Sequence, residues 1–552
     1  MKIKIRLPKD DFCYEVVFQD GEKLIDIISR TFYNYREYLG AVVNAELVSL
    51  NYVPKDNEDI KLLDILNSLG LRIYTTSLTM IFETAIKELY GDLNPMVEHY
   101  IGSNIYVEKD TGNPFTMREI EAIKQKMHDI INEDYDFKLE KWDKDKALNY
   151  FKNMNRESTV SLLKYVHDEQ LKMYKLINFY DRFDEVIVPS TGFISRFDVE
   201  YYYPGILIKF PSKNKNNKID YETEESKLAK AFQDHAKEAK IIGVNYVGEL
   251  NEKIENGGAR DLVLVSESFI EQKIREIAMI VAKDKAKRLI LISGPSSSGK
   301  TTFAYKLKIA LKMYGLETIE MSTDDYFVDR KHNPKNPDGT YNFETIDAVD
   351  IEALNQDILK LIESGEAEKR SFDFIEGKPV YTGEKRELGA NGIIILEGIH
   401  GLNPVLSNKI PNRNKIKIYL SALSTMNIDS VNRLSTTDVR FLRRMVRDQR
   451  TRGRDVLKSL AEWGSVRKGE DIYVFPYQEQ ADIIINTSLF YEISILKKFA
   501  MPLLKQVPST DKNFVRATRL LKMLDYFTAI DDENLIPNTS IIREFIGGSI
   551  FE

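Results

Sequence analysis

The stretch RLILISGPSSSGKTTFAYKLKIALKMYG, Arg288 to Gly315, decides how the rest of the chain is read. An apolar run meets a turn of glycine and serine, then a lysine, two threonines and a helical pattern. Gly294-Pro-Ser296-Ser297-Ser298-Gly299-Lys300-Thr301 fits G-x-x-x-x-G-K-[ST] at every position. Glycines let backbone N–H groups turn inward around phosphate oxygens, the lysine adds a point charge, and the threonine hydroxyl ligates Mg²⁺. The helix that follows, starting through Thr302, aims its positive end at the anion. Phe303, Leu307 and Leu311 fall at i, i+4 and i+8, and Gly315 is the expected C-cap. At ordinary residue frequencies the four fixed positions recur by chance about 2 times in 100 in a chain of this length. Nucleotide binding is therefore the expectation.

Working outward, five runs between 286 and 490 read as strands: RLILIS, ETIEMS, GIIILE, KIKIYL and ADIIIN. Helical patterns separate them, the signature of a parallel α/β sheet. The second run leads into Asp324-Asp325-Tyr326-Phe327, and the third ends in Glu397. Carboxylates at the carboxyl ends of such strands face the ligand crevice. There they accept a hydroxyl proton or orient Mg²⁺. DVRFLRRMVRDQRTRGRD then supplies seven arginines between Arg440 and Arg454. Arg440, Arg443, Arg444, Arg447 and Arg454 share one side if the helix persists. Guanidinium chelates phosphate in a fixed fork, so this row is expected to close over a transferring phosphoryl group.

These segments resemble the uridine kinase and phosphoribulokinase family of P-loop kinases. GPSSSGKTT, STDDYF, YNFETIDAVD, RSFDF, IILEGIHGL, DVRFLRRMVRDQRTRGRD and FPYQEQADIIIN occur in family order over about 200 residues. The resemblance implies an ATP- or GTP-dependent, Mg²⁺-requiring kinase acting on the 5′-hydroxyl of a nucleoside. It makes Asp324 the base and places Tyr326, Asp347, Phe372 and Arg444 around the acceptor. Lys300, Arg447, Arg452 and Arg454 become the groups that stabilise the phosphoryl, with Thr301, Glu397 and Asp324 at the metal. The family's pyrimidine-reading His falls here on Gly377, which leaves base identity open.

Residues 1–65 carry strand-like KIKIRL and CYEVVF around the turn PKDD, then the helical EKLIDIISRTFYNY. They resemble a TGS domain of β-grasp form. Residues 66–215 resemble the second N-terminal domain of threonyl-tRNA synthetase, carried by TSLTMIFETAIKELYGD and IGSNIYVEKD. In that domain a His-x-x-x-His pair and a Cys-x-x-x-His build a hydrolytic editing centre. The positions of the first pair are Thr76 and Met80 here, no two of the six histidines are four apart, and the lone cysteine is Cys13. Editing chemistry is therefore expected to be absent. PSKNKNNKIDYETEES reads as a boundary loop, YYYPGILIKFP as one strand, 216–285 as a helical connector, and 491–552 as a largely helical tail. The fold class is α/β: a P-loop parallel-sheet kinase domain at 286–490, preceded by the β-grasp and α+β units. The whole order resembles bacterial nucleoside-kinase fusions.

Bulk composition sets outer limits. At 552 residues, roughly three to four domains are expected. One cysteine excludes an internal disulfide, no apolar run approaches a membrane span, and the N-terminus lacks a signal-peptide core. A cytoplasmic address follows as the default. The net charge of −7 argues against nucleic acid as the main partner, while RNA contact through the front units and oligomer formation stay open. Two alternatives stand beside the nucleoside kinase: an RNA- or tRNA-associated nucleotide-gated binding protein, and a sugar-phosphate kinase of the phosphoribulokinase type.

Overall fold

The computed structural model describes the chain except residues 9–11, 92, 213–216, 222–225, 336–338 and 340. Most of the expected PKDD turn, and parts of the expected boundary loop, lie outside the described residues. In the first 65 residues, strand Lys2–Arg6 pairs antiparallel with Cys13–Val17 and parallel with Asp59–Leu63. Gly40–Val43 and Glu46–Val48 complete a five-stranded sheet. The helix Leu24–Thr31 closes one face because Leu24, Ile27 and Ile28 recur at helical spacing and are fully buried.

The long helix Ser68–Tyr90 starts on Asn67, whose side chain accepts from Leu69 N, and stops at Gly91, φ +60°. It runs beside two antiparallel sheets, one of four strands and one of three. YYYPGILIKFP is not one strand but a hairpin: Asp198–Tyr202 and Gly205–Lys209 turn at Tyr203-Pro204. Proline has no N–H for a ladder, so the run breaks there. Three helices follow, Ser226–Ile242, Val247–Lys253 and Ala259–Lys283, with Gly257 (φ +79°) at the NGG turn.

The five strand-like runs form one all-parallel sheet: β1 (Leu289–Ser293), β2 (Thr318–Ser322), β3 (Ile393–Glu397), β4 (Lys415–Ser421) and β5 (Ile483–Asn486), in the order β2-β3-β1-β4-β5. Every residue of β1 is buried, as a central parallel strand requires. The order reverses next to β1, so the crevice at its carboxyl end is the natural ligand position. An antiparallel hairpin, Glu366–Asp373 with Lys378–Glu387, packs on the turn Thr323–Tyr326 that follows β2 and on the helix Ile351–Glu363. The tail is helical over Glu492–Leu504 and Phe514–Asp525, but 526–542 runs as turns that bring the chain end back to the phosphate loop. One buried apolar cluster spans Phe151, Ile274, Phe303, Trp463 and Phe545, so the connector, the parallel sheet and the tail share a core.

Candidate active site

The turn after β1 is shaped by sterics. A Cβ at Gly294 would collide with the carbonyl of Leu420, and Gly299 sits at φ +83° against Ile541. Ser297, at φ +62°, makes the second left-handed step. Gly299 caps the helix Lys300–Lys312, whose Phe303, Leu307 and Leu311 are fully buried as the spacing predicts. Lys300 Nζ donates to Gly294 O at 3.0 Å and Pro295 O at 3.2 Å, folded over its own loop. The hydroxyls of Ser297 and Ser298 are buried without a partner among the described residues, while Thr301 is exposed. Loop hydroxyls awaiting a partner and a free Thr301 suit a phosphate chain with its Mg²⁺.

Asp324 sits on the short turn Thr323–Tyr326 after β2, where Ser322 Oγ accepts from Asp324 N at 3.3 Å. Its carboxyl is open to solvent within a cleft walled by protein. Burial raises its pKa and Asp325 adds to this, while Lys300 and Arg452 pull it down. Glu397 ends β3 and accepts from Ser322 Oγ at 3.1 Å. Burial pushes it up to about 7 against the field of Lys300, with Asp324 pushing the same way. Burial also holds the Lys300 ammonium below its ordinary value, against the pull of Glu397, Glu544 and Asp324. The lysine and two strand-tip acids predicted from sequence are thus brought into one charge cluster.

A third acid, Glu344, belongs to the same cluster and was not singled out by sequence. Its side chain packs on Gly469, and burial, with Glu470 and Asp324, pushes it up to about 7 against Arg444 and Lys300. The signal was available in NFETIDAVD, which carries an acid three residues before Asp347. Asp347 itself is exposed on the turn Ile346–Ala348, beside the Thr345 hydroxyl. Among the described residues no three His, Cys, Asp or Glu side chains form a preassembled metal cage. A Mg²⁺ site built from Thr301, one or two carboxylates and phosphate oxygens needs none.

The arginine row divides in two. Arg440 and Arg443 are buried and brace the loop from behind. Arg440 Nε donates to Ser296 O at 3.1 Å and pairs with Glu470, which accepts from Ser296 N at 2.9 Å. Arg443 Nε donates to Glu492 at 2.6 Å, and its Nη atoms donate to Thr487 O at 2.9 Å and Ser297 O at 3.4 Å. These two cannot close over a phosphoryl group. Arg444 donates to Ser296 Oγ at 3.0 Å. Arg447 pairs with Glu544 at 3.3 Å, Arg452 with Asp448 at 3.2 Å and Arg454 with Glu462 at 2.5 Å. The helix stops at Thr451, before Gly453 (φ +58°), so Arg452 and Arg454 lie on the following turn rather than on its face.

Two expected acceptor contacts are corrected. Tyr326 is fully buried and its hydroxyl donates to Asp357 at 3.0 Å, so it has no surface to offer. Phe372 is 5% exposed and packs edge-on against Phe327 and Phe374. Phe374, at the hairpin tip, and Tyr381 on its second strand are exposed aromatics. Gly377 has φ +73°, and a side chain there would collide with Arg330. Arg330 donates to the carbonyls of Phe374 and Ile375, so its guanidinium fills the place of a base-reading side chain at 377.

In the front half, Met80 is fully buried and Thr76 half-buried. Arg156 there bonds Glu83 at 2.9 Å and Asp181 at 2.6 Å in a buried ionic triad.

Residues 289–493 match the model of the phosphoribulokinase / uridine kinase family. The N-terminal region is similar to threonine–tRNA ligases. That of Caldanaerobacter subterraneus subsp. tengcongensis is 30% identical over 162 residues, 29% of this chain and 25% of the ligase. That of Orientia tsutsugamushi (strain Ikeda) is 26% identical over 223 residues, 40% of this chain and 34% of the ligase. The chain thus spans a quarter to a third of the length of these curated relatives. A solved D-glycerate 3-kinase from Cryptococcus neoformans var. grubii aligns at 14% identity and a TM-score of 0.24, covering 38% of this chain and 87% of that one. Among the described residues no helix is long and apolar enough to cross a membrane.

Proposed function

We propose, for a chain that carries a phosphoribulokinase / uridine kinase family domain at residues 289–493, transfer of the γ-phosphoryl group of ATP or GTP to the 5′-hydroxyl of a nucleoside. The observation that carries this reading is the Asp324 carboxyl, open in its cleft and coupled to Lys300, Glu397 and Glu344. The loop amides and Lys300 hold the phosphate chain. Asp324 accepts the acceptor's proton as its oxygen bonds to the γ-phosphorus and the bridging P–O bond breaks, releasing a nucleoside diphosphate. Arg447, Arg452 and Arg454 offset charge on the transferring group. Thr301, Glu397 and Asp324 are the residues that would hold Mg²⁺, which supplies further positive charge when bound.

Glu344, whose carboxyl feels both Asp324 and Arg444, is suited together with Arg444 and Asp347 to the ribose hydroxyls. Because Arg330 occupies the space at Gly377 and is committed to carbonyls, little is left to read one base edge. Selectivity between bases built on satisfied polar groups is therefore weak. Incubation with Mg-ATP and a mixture of the common nucleosides, followed by mass spectrometry, is expected to yield nucleoside monophosphates from more than one base. Release of ADP and inorganic phosphate with no phosphorylated nucleoside would overturn the reading.

A further inference from the structure

The chain end returns to the phosphate loop and lays a carboxylate on it. Glu544 Oε2 accepts from Thr302 Oγ at 3.1 Å and from Thr302 N at 3.4 Å. Its other oxygen, Oε1, pairs with Arg447 at 3.3 Å. Thr302 N–H is one of the unpaired first-turn donors of the loop helix, and Arg447 is one of the guanidiniums near the cleft. Glu544 thus binds two groups that a phosphate chain in this loop would use.

This placement is built into the packing. Ile541, Ile542 and Phe545 are buried, with Ile541 against Gly299. The Phe545 ring lies 5.1 Å from the guanidinium of Arg443 and 5.8 Å from that of Arg447. Lys306 Nζ donates to Thr539 O at 2.8 Å. Arg450 donates to Glu544 O at 3.0 Å and pairs with Glu552, while Phe551 stacks on Tyr305 at 5.6 Å. Gly547 and Gly548, at φ +94° and +75°, reverse the chain between the two halves of this segment. The other carboxylate on the loop, Glu470, differs: Arg440 and Arg467 both hold it. Glu544 has Arg447 alone as its ion-pair partner among the described residues.

Resting on the donor-site reading above, we infer that residues 539–552 are a strap on the donor site, and that Glu544 holds an anion position which a phosphate of the incoming nucleotide must take from it. A carboxylate and a phosphate oxygen cannot share one N–H, and their charges repel. Strap and nucleotide therefore compete, and the apparent affinity is the intrinsic one reduced by the fraction of molecules with Glu544 displaced. The ligand that opens the strap is a nucleoside di- or triphosphate.

The test uses the full-length protein and ADP. Calorimetric titration compares wild type with Glu544→Gln, which keeps the shape and removes the charge, and with Glu544→Ala. Hydrogen exchange of wild type is followed with and without ADP. The expected result is a Kd for ADP about tenfold lower in both variants. With ADP, amides of 539–552 should exchange faster while those of the loop helix are protected. Equal or weaker ADP binding in the variants, with the strap's exchange unmoved by ADP in wild type, overturns the strap and leaves the donor site standing. No ADP binding to any of the three proteins overturns the donor site and the strap with it.

Discussion

Asp324 and Glu397 owe their raised pKa values first to burial, and Lys300 opposes the shift in each. Asp324→Asn keeps the size of the side chain and removes the proton acceptor. ATP affinity should stay within about twofold and turnover fall by about 10²- to 10⁴-fold, measured by calorimetry and by ADP release with acceptor present. Turnover near wild type would remove Asp324 from the chemistry. Glu397 titrates near 7 in the folded protein, against an ordinary 4.5. Between those values the folded state holds the extra proton, so this group's share of stability is present below about pH 4.5 and lost as pH rises through 7. In metal-free protein, the melting temperature of Glu397→Gln should fall less from pH 5 to pH 8 than that of wild type. An identical slope would show that Glu397 does not titrate in this range. These two acids were legible because each stands at the carboxyl end of a strand-like run beside the phosphate loop. Tyr326 and Phe372 were misread because a motif gives no sign of burial: one is turned inward to Asp357, the other into an aromatic cluster.

The helix Thr436–Thr451 does two jobs that its spacing alone does not separate. Arg440, Arg443, Arg444 and Arg447 do recur at 3–4 residues, but the fully buried Arg443 has the carboxylate of Glu492 and two carbonyls as partners. Arg443→Met leaves Glu492 buried without its guanidinium, and about 3–5 kcal/mol of stability should be lost in denaturant melts. Arg454→Ala, on the exposed turn, should change stability by no more than about 0.5 kcal/mol while lowering kcat by about 10²-fold or more. The reverse pattern would contradict the division of the row. β1 and β3 were legible as apolar runs, since a strand buried on both faces has no alternation to lose. The hairpin Glu366–Glu387 was not, because ESGEAEKR and YTGEKRE are mostly charged and its pairing lies off the sheet. Where the arginine helix ends was also hidden: Gly453 at φ +58° stops what the arginine spacing would continue.

Across the whole molecule, Asp438 in the first turn of that helix ties three parts together. Arg72 of the synthetase-like helix reaches it at 2.7 Å, and Arg519 of the tail grips both its oxygens at 2.7 and 2.8 Å. These guanidiniums hold its carboxyl far below the usual range although burial alone would raise it. Residues 72, 438 and 519 are too far apart in sequence for any spacing rule to join them, so the arrangement of the front units on the kinase was not legible. Arg72→Met should cost about 1–3 kcal/mol in thermal melts and lower kcat with KM for ATP little changed. A stability loss with kcat intact would confine the front half to bracing. The central claim is that the loop lysine, the strand-tip acids and Arg447, Arg452 and Arg454 serve one transfer to a primary alcohol. Proton-coupled phosphorus NMR of the reaction with Mg-ATP and a nucleoside tests it most directly. The account predicts a new phosphomonoester resonance split into a triplet by the two 5′-methylene protons. A singlet of inorganic phosphate alone, or a doublet from a secondary alcohol, would contradict it.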